Sequence, residues 1–315
     1  MKKLSIFLII GIIAWSLVNN RIVNPYVSSL KGFAKPVVME TNTLYQEIIS
    51  KASTYEKPPS DAKIDPIWKA IPGYNGIKVD VNASYKRMAK KGYFDETKLV
   101  YTQQKPKVHL NDLPPSPIYK GHPEKPMVSF IINVAWGNEY LSDMLATLKK
   151  HHVSASFFLE GNWVKNNPEL AKMIADAGHE VGNHSYSHPD MKLLTASKTR
   201  EQMIKTNEVI KAATGKNCEW FAPPSGSYRD ETVTIAAEMK MKTVMWTVDT
   251  VDWKKPTPDV LINRVMSKIG NGSLVLMHPT ESTAKALDRL LTLIEQKGLN
   301  VGTVSDLMNE ERILN

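Results

Sequence analysis

The chain has 315 residues, 42% hydrophobic and 23% charged, with a net charge of +8 and one cysteine, Cys218. That composition excludes a disordered chain, an intramolecular disulfide and a cysteine-based zinc site. The basic balance favours an anionic neighbour, such as a membrane surface or an acidic cell-wall polymer. No nucleic-acid motif or aromatic stacking run accompanies it, so no nucleic acid is expected as a partner.

In chain order, Lys2 and Lys3 precede an apolar run over residues 4–18, broken by Ser5, Gly11 and Ser16. The run is short for a membrane span, which needs roughly 20 residues, and suits the hydrophobic part of a secretory signal. Ala14-Trp15-Ser16 is a marginal small-x-small cleavage triplet. Residues 1–20 are therefore expected as a signal peptide or signal anchor, with the rest extracytoplasmic, membrane-anchored or secreted. Residues 21–62 read as a stalk that carries one helix before Pro58-Pro59. Residues 63–110 read as a small appended subdomain, where "GIKVDV" alternates like a strand and "ASYKRMAKKG" is a short helix stopped by Gly92. Residues 111–126 are rich in proline and read as a linker.

From Met127 the rhythm changes. "VSFIINV" is a continuous apolar run, as in a strand buried on both faces. Leu141, Leu145 and Leu148 then share one face of a helix. Strands follow in "SASFFL", "HEVGNH", "EWFA", "TVMWTV", "SLVLM" and "LNVGTV". Helices alternate with them over about 168–178, 197–213, 231–239, 258–269 and 283–297. This alternation implies a parallel sheet with outer helices. About seven strands in roughly 185 residues suggest an incomplete barrel. An open doubly wound sheet is the alternative, but no glycine-rich phosphate loop follows the first strand.

The chemistry-bearing residues cluster just after strand ends: His184 and His188 in "HSYSH", the "PPSGSY" turn, Asp249 and Asp252 in "DTVDW", and His278 in "LMH". In a parallel barrel such positions converge on one face. Two histidines four apart can face one ion if they lie on a helical turn.

These stretches together resemble the polysaccharide deacetylase family, or NodB homology domain, over about residues 126–310. The domain itself is taken as 127–310. The resemblance implies an α/β fold, a distorted (β/α)7 barrel, and removal of acetyl groups from N-acetylated glycans. "HSYSH" matches the family's histidine motif, so His184 and His188 are implied metal ligands. Asp252 and His278 match the fourth and fifth motifs and are implied catalytic residues, with His278 as general acid. Pro224, Tyr228, Trp253 and Leu276 are implied substrate contacts.

Two family motifs are broken. The first motif normally supplies an aspartate base and an aspartate metal ligand, where this chain has Ala135 and Trp136. The arginine that holds the base is replaced by Ala222. Indole has no lone pair for a metal, and its bulk is expected to fill the ion's space. The resemblance thus implies a divalent metal, zinc or cobalt, held weakly or not at all. Loss of base and arginine together avoids an unpaired buried guanidinium, which would cost several kcal/mol.

The expected function is a cell-envelope protein that acts on or binds N-acetylated, peptidoglycan-like cell-wall glycan with reduced or lost deacetylase activity. The alternative is a working metal-dependent amidohydrolase with a rearranged site, in which Glu139 helps. Within the family, the stalk, basic charge and intact histidine motif most resemble the group linked to bacterial sporulation.

Overall fold

The computed structural model describes residues 43–314 and the single residue Trp15. Apart from Trp15, the segment expected at 1–20 lies outside the described residues, as does the stalk up to residue 42. No helix among the described residues is long and apolar enough to cross a membrane.

The described residues fall into two compact units, drawn from Met1–Tyr55 with Val79–Tyr101, and from Glu56–Lys78 with Thr102–Asn315. The boundary cuts through the stretch expected as one subdomain at 63–110. In the first unit, helix α1 (Thr43–Tyr55) and helix α2 (Val81–Met88) enclose a small core of Leu44, Ile48, Val79, Met88 and Leu99. Asp80 caps α2 by accepting from Ala83 N–H at 2.9 Å. Gly92 follows with a φ of +75°, the stop expected from the sequence.

The second unit is the barrel. Its strands are β1 (Met127–Val134), β2 (Ser156–Leu159), β3 (Glu180–Asn183), β4 (Trp220–Phe221), β5 (Lys242–Thr243), β6 (Val248–Asp249), β7 (Leu274–Met277) and β8 (Asn300–Gly302). The order is β6-β7-β1-β2-β3-β4-β5, all parallel, with β8 added to β1. This is the distorted (β/α)7 barrel that the sequence implies, open between β5 and β6.

Side-chain alternation makes two cores. Phe130, Phe157, Phe221 and Val275 face the outer helices, where they meet residues such as Leu141, Leu148 and Leu290. Their strand neighbours Ile131, Phe158, Trp220, Ala222 and Leu276 fill the interior. Each fully buried large apolar side chain stabilises the fold by roughly 1.5–3 kcal/mol.

Two expectations need correction. "TVMWTV" is not one strand, because its pairing partners change at the barrel opening. Val244 N–H still bonds to Phe221 O at 2.9 Å, whereas Thr247 N–H already bonds to Leu274 O at 3.0 Å. The proline-rich stretch is tied into the barrel unit rather than running as a free linker. Ile118 is buried and bridges Val244, and Lys120 bridges Ser273. This segment runs from the end of β5 to the start of β7, across the opening.

Candidate active site

Strand β1 ends at Val134, and Ala135 and Trp136 occupy the bend before helix α3 (Asn138–Lys150). Gly137 has a φ of +85°, and a Cβ there would lie 1.9 Å from Pro279 O. Only glycine fits such a left-handed, tightly opposed turn. The bend is thereby pressed against the strand end that carries His278. Trp136 is 47% exposed. Its indole lies nearly parallel to the His278 imidazole, at 9° and 5.8 Å between centroids.

His184 is buried and His188 is exposed at the rim. Their rings meet edge-on with centroids 5.2 Å apart. The segment is not the helical turn that the spacing suggests. Ser185 and His188 have positive φ values of +62° and +54°, and the turn is held by side chains. Asn183 Oδ1 accepts from Ser185 N–H, and Gln202 Oε1 accepts from Tyr186 N–H and Ser187 N–H, each at 2.9 Å. Gln202, on helix α4 (Ala196–Thr214), had no signal in the sequence because it lies 14 residues beyond the motif. Burial pushes the His184 pKa down to about 3. Its Nδ1–H donates to Ala222 O at 2.7 Å, which fixes the tautomer and leaves Nε2 with a lone pair.

Asp252 is completely buried and fully partnered. Its Oδ2 accepts from His278 N–H at 2.6 Å and from Thr283 Oγ1 at 2.7 Å. Its Oδ1 is 2.8 Å from His278 Nδ1. A carboxylate accepts there, so Nδ1 carries the proton and Nε2 is the free nitrogen. Val251 precedes this turn at φ +54°, one of several strained non-glycine residues around the site, each costing roughly 1–3 kcal/mol.

His184, His188, His278, Leu276 and Trp253 line one cavity of about 440 Å³ together with Ala135 and Trp136. Pro224 and Tyr228 do not line it. Pro224 is buried, and the Tyr228 hydroxyl shares a hydrogen bond with Tyr119 at 2.8 Å. Burial and that bond hold the Tyr228 phenol above its ordinary range. Ala222 is 1% exposed in the interior core, with Trp246 packed against that core. Trp246 and Ser225 also line the cavity; Ser225 belongs to the "PPSGSY" turn that the sequence singles out, whereas sequence reasoning missed Trp246. Trp246 belongs to an apparent strand, and nothing local told which way it faced.

Trp136 lines the same cavity as His184 and His188, with its indole stacked on His278. One expectation fails on geometry. Glu139 sits in the first turn of α3 and lines a neighbouring groove, not this cavity.

Zinc or cobalt would find two imidazoles here. A catalytic site takes three protein ligands, and no third His, Cys, Asp or Glu joins these two among the described residues. Asn133 Oδ1 is buried without a partner in the cavity wall, but it is a neutral amide oxygen. Asp249 also lines the cavity, with one oxygen taken by Val251 N–H at 2.7 Å. The donor set does not fit a tightly held ion.

The comparisons agree with this picture. Residues 120–244 match the family model described as polysaccharide deacetylase. The chain is 54% identical to the uncharacterised protein YlxY of Bacillus subtilis over 98% of this chain and 97% of that one. It is 30% identical to the peptidoglycan-N-acetylmuramic acid deacetylase PdaA of Bacillus subtilis over 62% of this chain and 76% of that one. The crystal structure of BA3943 from Bacillus anthracis, described as a CE4 family pseudoenzyme, matches with a TM-score of 0.84 and 57% identity, covering 86% of this chain and 96% of that one. A mutant of BA3943, described as having restored enzymatic activity, gives the same TM-score of 0.84 at 56% identity, covering 86% of this chain and 99% of that one. With this barrel, an intact histidine pair and an intact Asp252–His278 pair, the chain belongs to the polysaccharide deacetylase family.

Proposed function

We propose that this protein binds N-acetylated cell-wall glycan at the bacterial cell envelope and has reduced or lost deacetylase activity. One observation carries the reading. The general-acid pair His278–Asp252 is complete, while His184 and His188 share the cavity with an alanine and a tryptophan instead of a base and an anionic ligand. The family reaction needs water activated on a metal and a base for its proton, the latter typically worth about 10²–10⁴-fold. Both requirements fail together here. PdaA acts on peptidoglycan by its name, which supports the same glycan class for this chain. The pseudoenzyme description of BA3943 supports the loss of activity.

The apolar run at residues 4–18 supports a position of the barrel outside the cytoplasm, as a secreted or anchored domain. The basic charge and stalk fit the sporulation-linked group. The test is acetate release from N-acetylglucosamine oligomers and peptidoglycan, with zinc or cobalt added. The unmodified chain should release none above background, and a variant carrying Ala135→Asp, Trp136→Asp and Ala222→Arg should release some. Turnover by the unmodified chain equal to that of the triple variant would refute the reading.

A further inference from the structure

Trp136 stands where the family motif has a metal ligand, but its placement gives it a positive role. It is 47% exposed and Trp253 is 54% exposed. Exposure alone does not mark a site, but two exposed aromatic side chains that line the same depressions form a shared apolar surface. Both indoles line the 440 Å³ cavity, and both also line a neighbouring groove of about 460 Å³. The two indoles therefore form the shared rim between two adjoining depressions. One face of Trp136 is backed by the His278 imidazole, which holds the ring flat against the site. The bend beneath it is fixed by Gly137 against Pro279. This indole is positioned in advance, so binding costs little side-chain entropy.

The groove also tells which ligand chemistry it suits. Its charged side chains carry no positive excess: Glu139, Glu281 and Asp252 stand against Lys255 and Lys285, with Lys285 paired to Glu281 at 2.5 Å. Asp252, at its inner edge, is saturated by His278 and Thr283. A polyanion gains no net attraction there, despite the overall charge of +8. Tyr140, Thr257 and Ser282 add hydroxyls. Flat indole faces with hydroxyls and no excess of positive charge suit uncharged pyranose rings, whose apolar C–H faces stack on aromatics while their rims hydrogen-bond.

We infer that Trp136 and Trp253 form a sugar-stacking rim that carries an uncharged N-acetylated glycan from the cavity into the adjoining groove, so that the residue replacing the metal ligand is itself a glycan-binding residue. The inference rests on the glycan-binding reading above. It adds that the site recognises at least two consecutive sugars and that Trp136 is required. The Trp136 indole also covers one face of His278, so a bound sugar would meet indole there rather than the imidazole face.

The test is calorimetric titration of the purified chain with N-acetylglucosamine and its dimer and tetramer, without added metal. The tetramer should bind at least tenfold tighter than the monosaccharide. Trp136→Ala should weaken tetramer binding by about tenfold or more, the scale of removing a tryptophan anchor, and Trp136→Phe should restore most of it. Both variants should keep the unmodified chain's circular dichroism, since Trp136 is half exposed. Tetramer binding unchanged by Trp136→Ala would overturn this inference and leave the glycan-binding reading standing. No binding of any oligomer by the unmodified chain would overturn both. Preference for an anionic polymer such as polyglutamate over the tetramer would overturn the assignment of an uncharged ligand.

Discussion

Ala222→Arg is the most direct probe of why the base and the arginine were lost together. Ala222 is 1% exposed, lies in the barrel's interior core, and has Trp246 packed against that core. An arginine there adds volume to a filled space, which costs about 1–3 kcal/mol. It also buries a cation without a carboxylate partner, which costs about 3–5 kcal/mol. The lower ends sum to ~4 kcal/mol, a large share of an ordinary domain's stability of about 5–15 kcal/mol.

Ala222→Met separates the two contributions, because it adds volume without charge. Ala135 is only half-buried, so Ala135→Asp alone should cost less than ~1 kcal/mol, since water still solvates the carboxylate. This asymmetry was not visible in the sequence, which does not show how deeply each alanine is buried. If the two positions pair as the family motif implies, the double variant should be more stable than the sum of the singles by about 1–3 kcal/mol. Urea unfolding followed by circular dichroism measures all four variants. An Ala222→Arg variant no less stable than Ala222→Met, or a double variant additive to within about 0.5 kcal/mol, would refute the reasoning.

Two further outcomes follow from the same geometry. Trp136→Asp adds an anionic donor to the cavity that holds His184 and His188, so zinc affinity by titration should rise by more than the ~10–100-fold that an outer-shell partner is worth; no rise would mean that position 136 does not face the histidine pair. His179 is buried, accepts from Ala155 N–H through Nδ1 at 3.2 Å, and is pushed down by burial to a pKa of about 4. The unfolded chain, with a histidine pKa of about 6.5, protonates first as pH falls. The stability from keeping His179 neutral is therefore complete above pH ~6.5 and is lost as the pH drops toward 4, up to ~3 kcal/mol. His179→Gln should lose less stability between pH 7 and 4.5 than the unmodified chain, and an equal loss in both would show that this histidine does not contribute.

Much was legible in the residues alone. Helix and strand alternation from Met127 onward depends on local periodicity, and that periodicity is set by which faces must be buried. The stop at Gly92 is local too, because that glycine adopts positive φ. The histidine pair, the Asp252–His278 pair and the three lost residues were likewise readable, since each motif is a short run whose place at a strand end follows from the alternation.

What the sequence could not show was direction and partner. "TVMWTV" looks like one strand, because its alternation does not reveal that it changes neighbours at the barrel opening. The proline-rich stretch looks like a linker, because no local signal says that Ile118 would be buried against Val244. Glu139 and Trp136 are three residues apart, yet one borders only the groove while the other borders both groove and cavity. The orientation of Trp136 depends on His278, 142 positions away, and on Pro279 pressing against Gly137. A residue's chemistry is a local property and can be read from one letter. The direction its side chain faces is set by packing between distant segments, and only the folded barrel decides it.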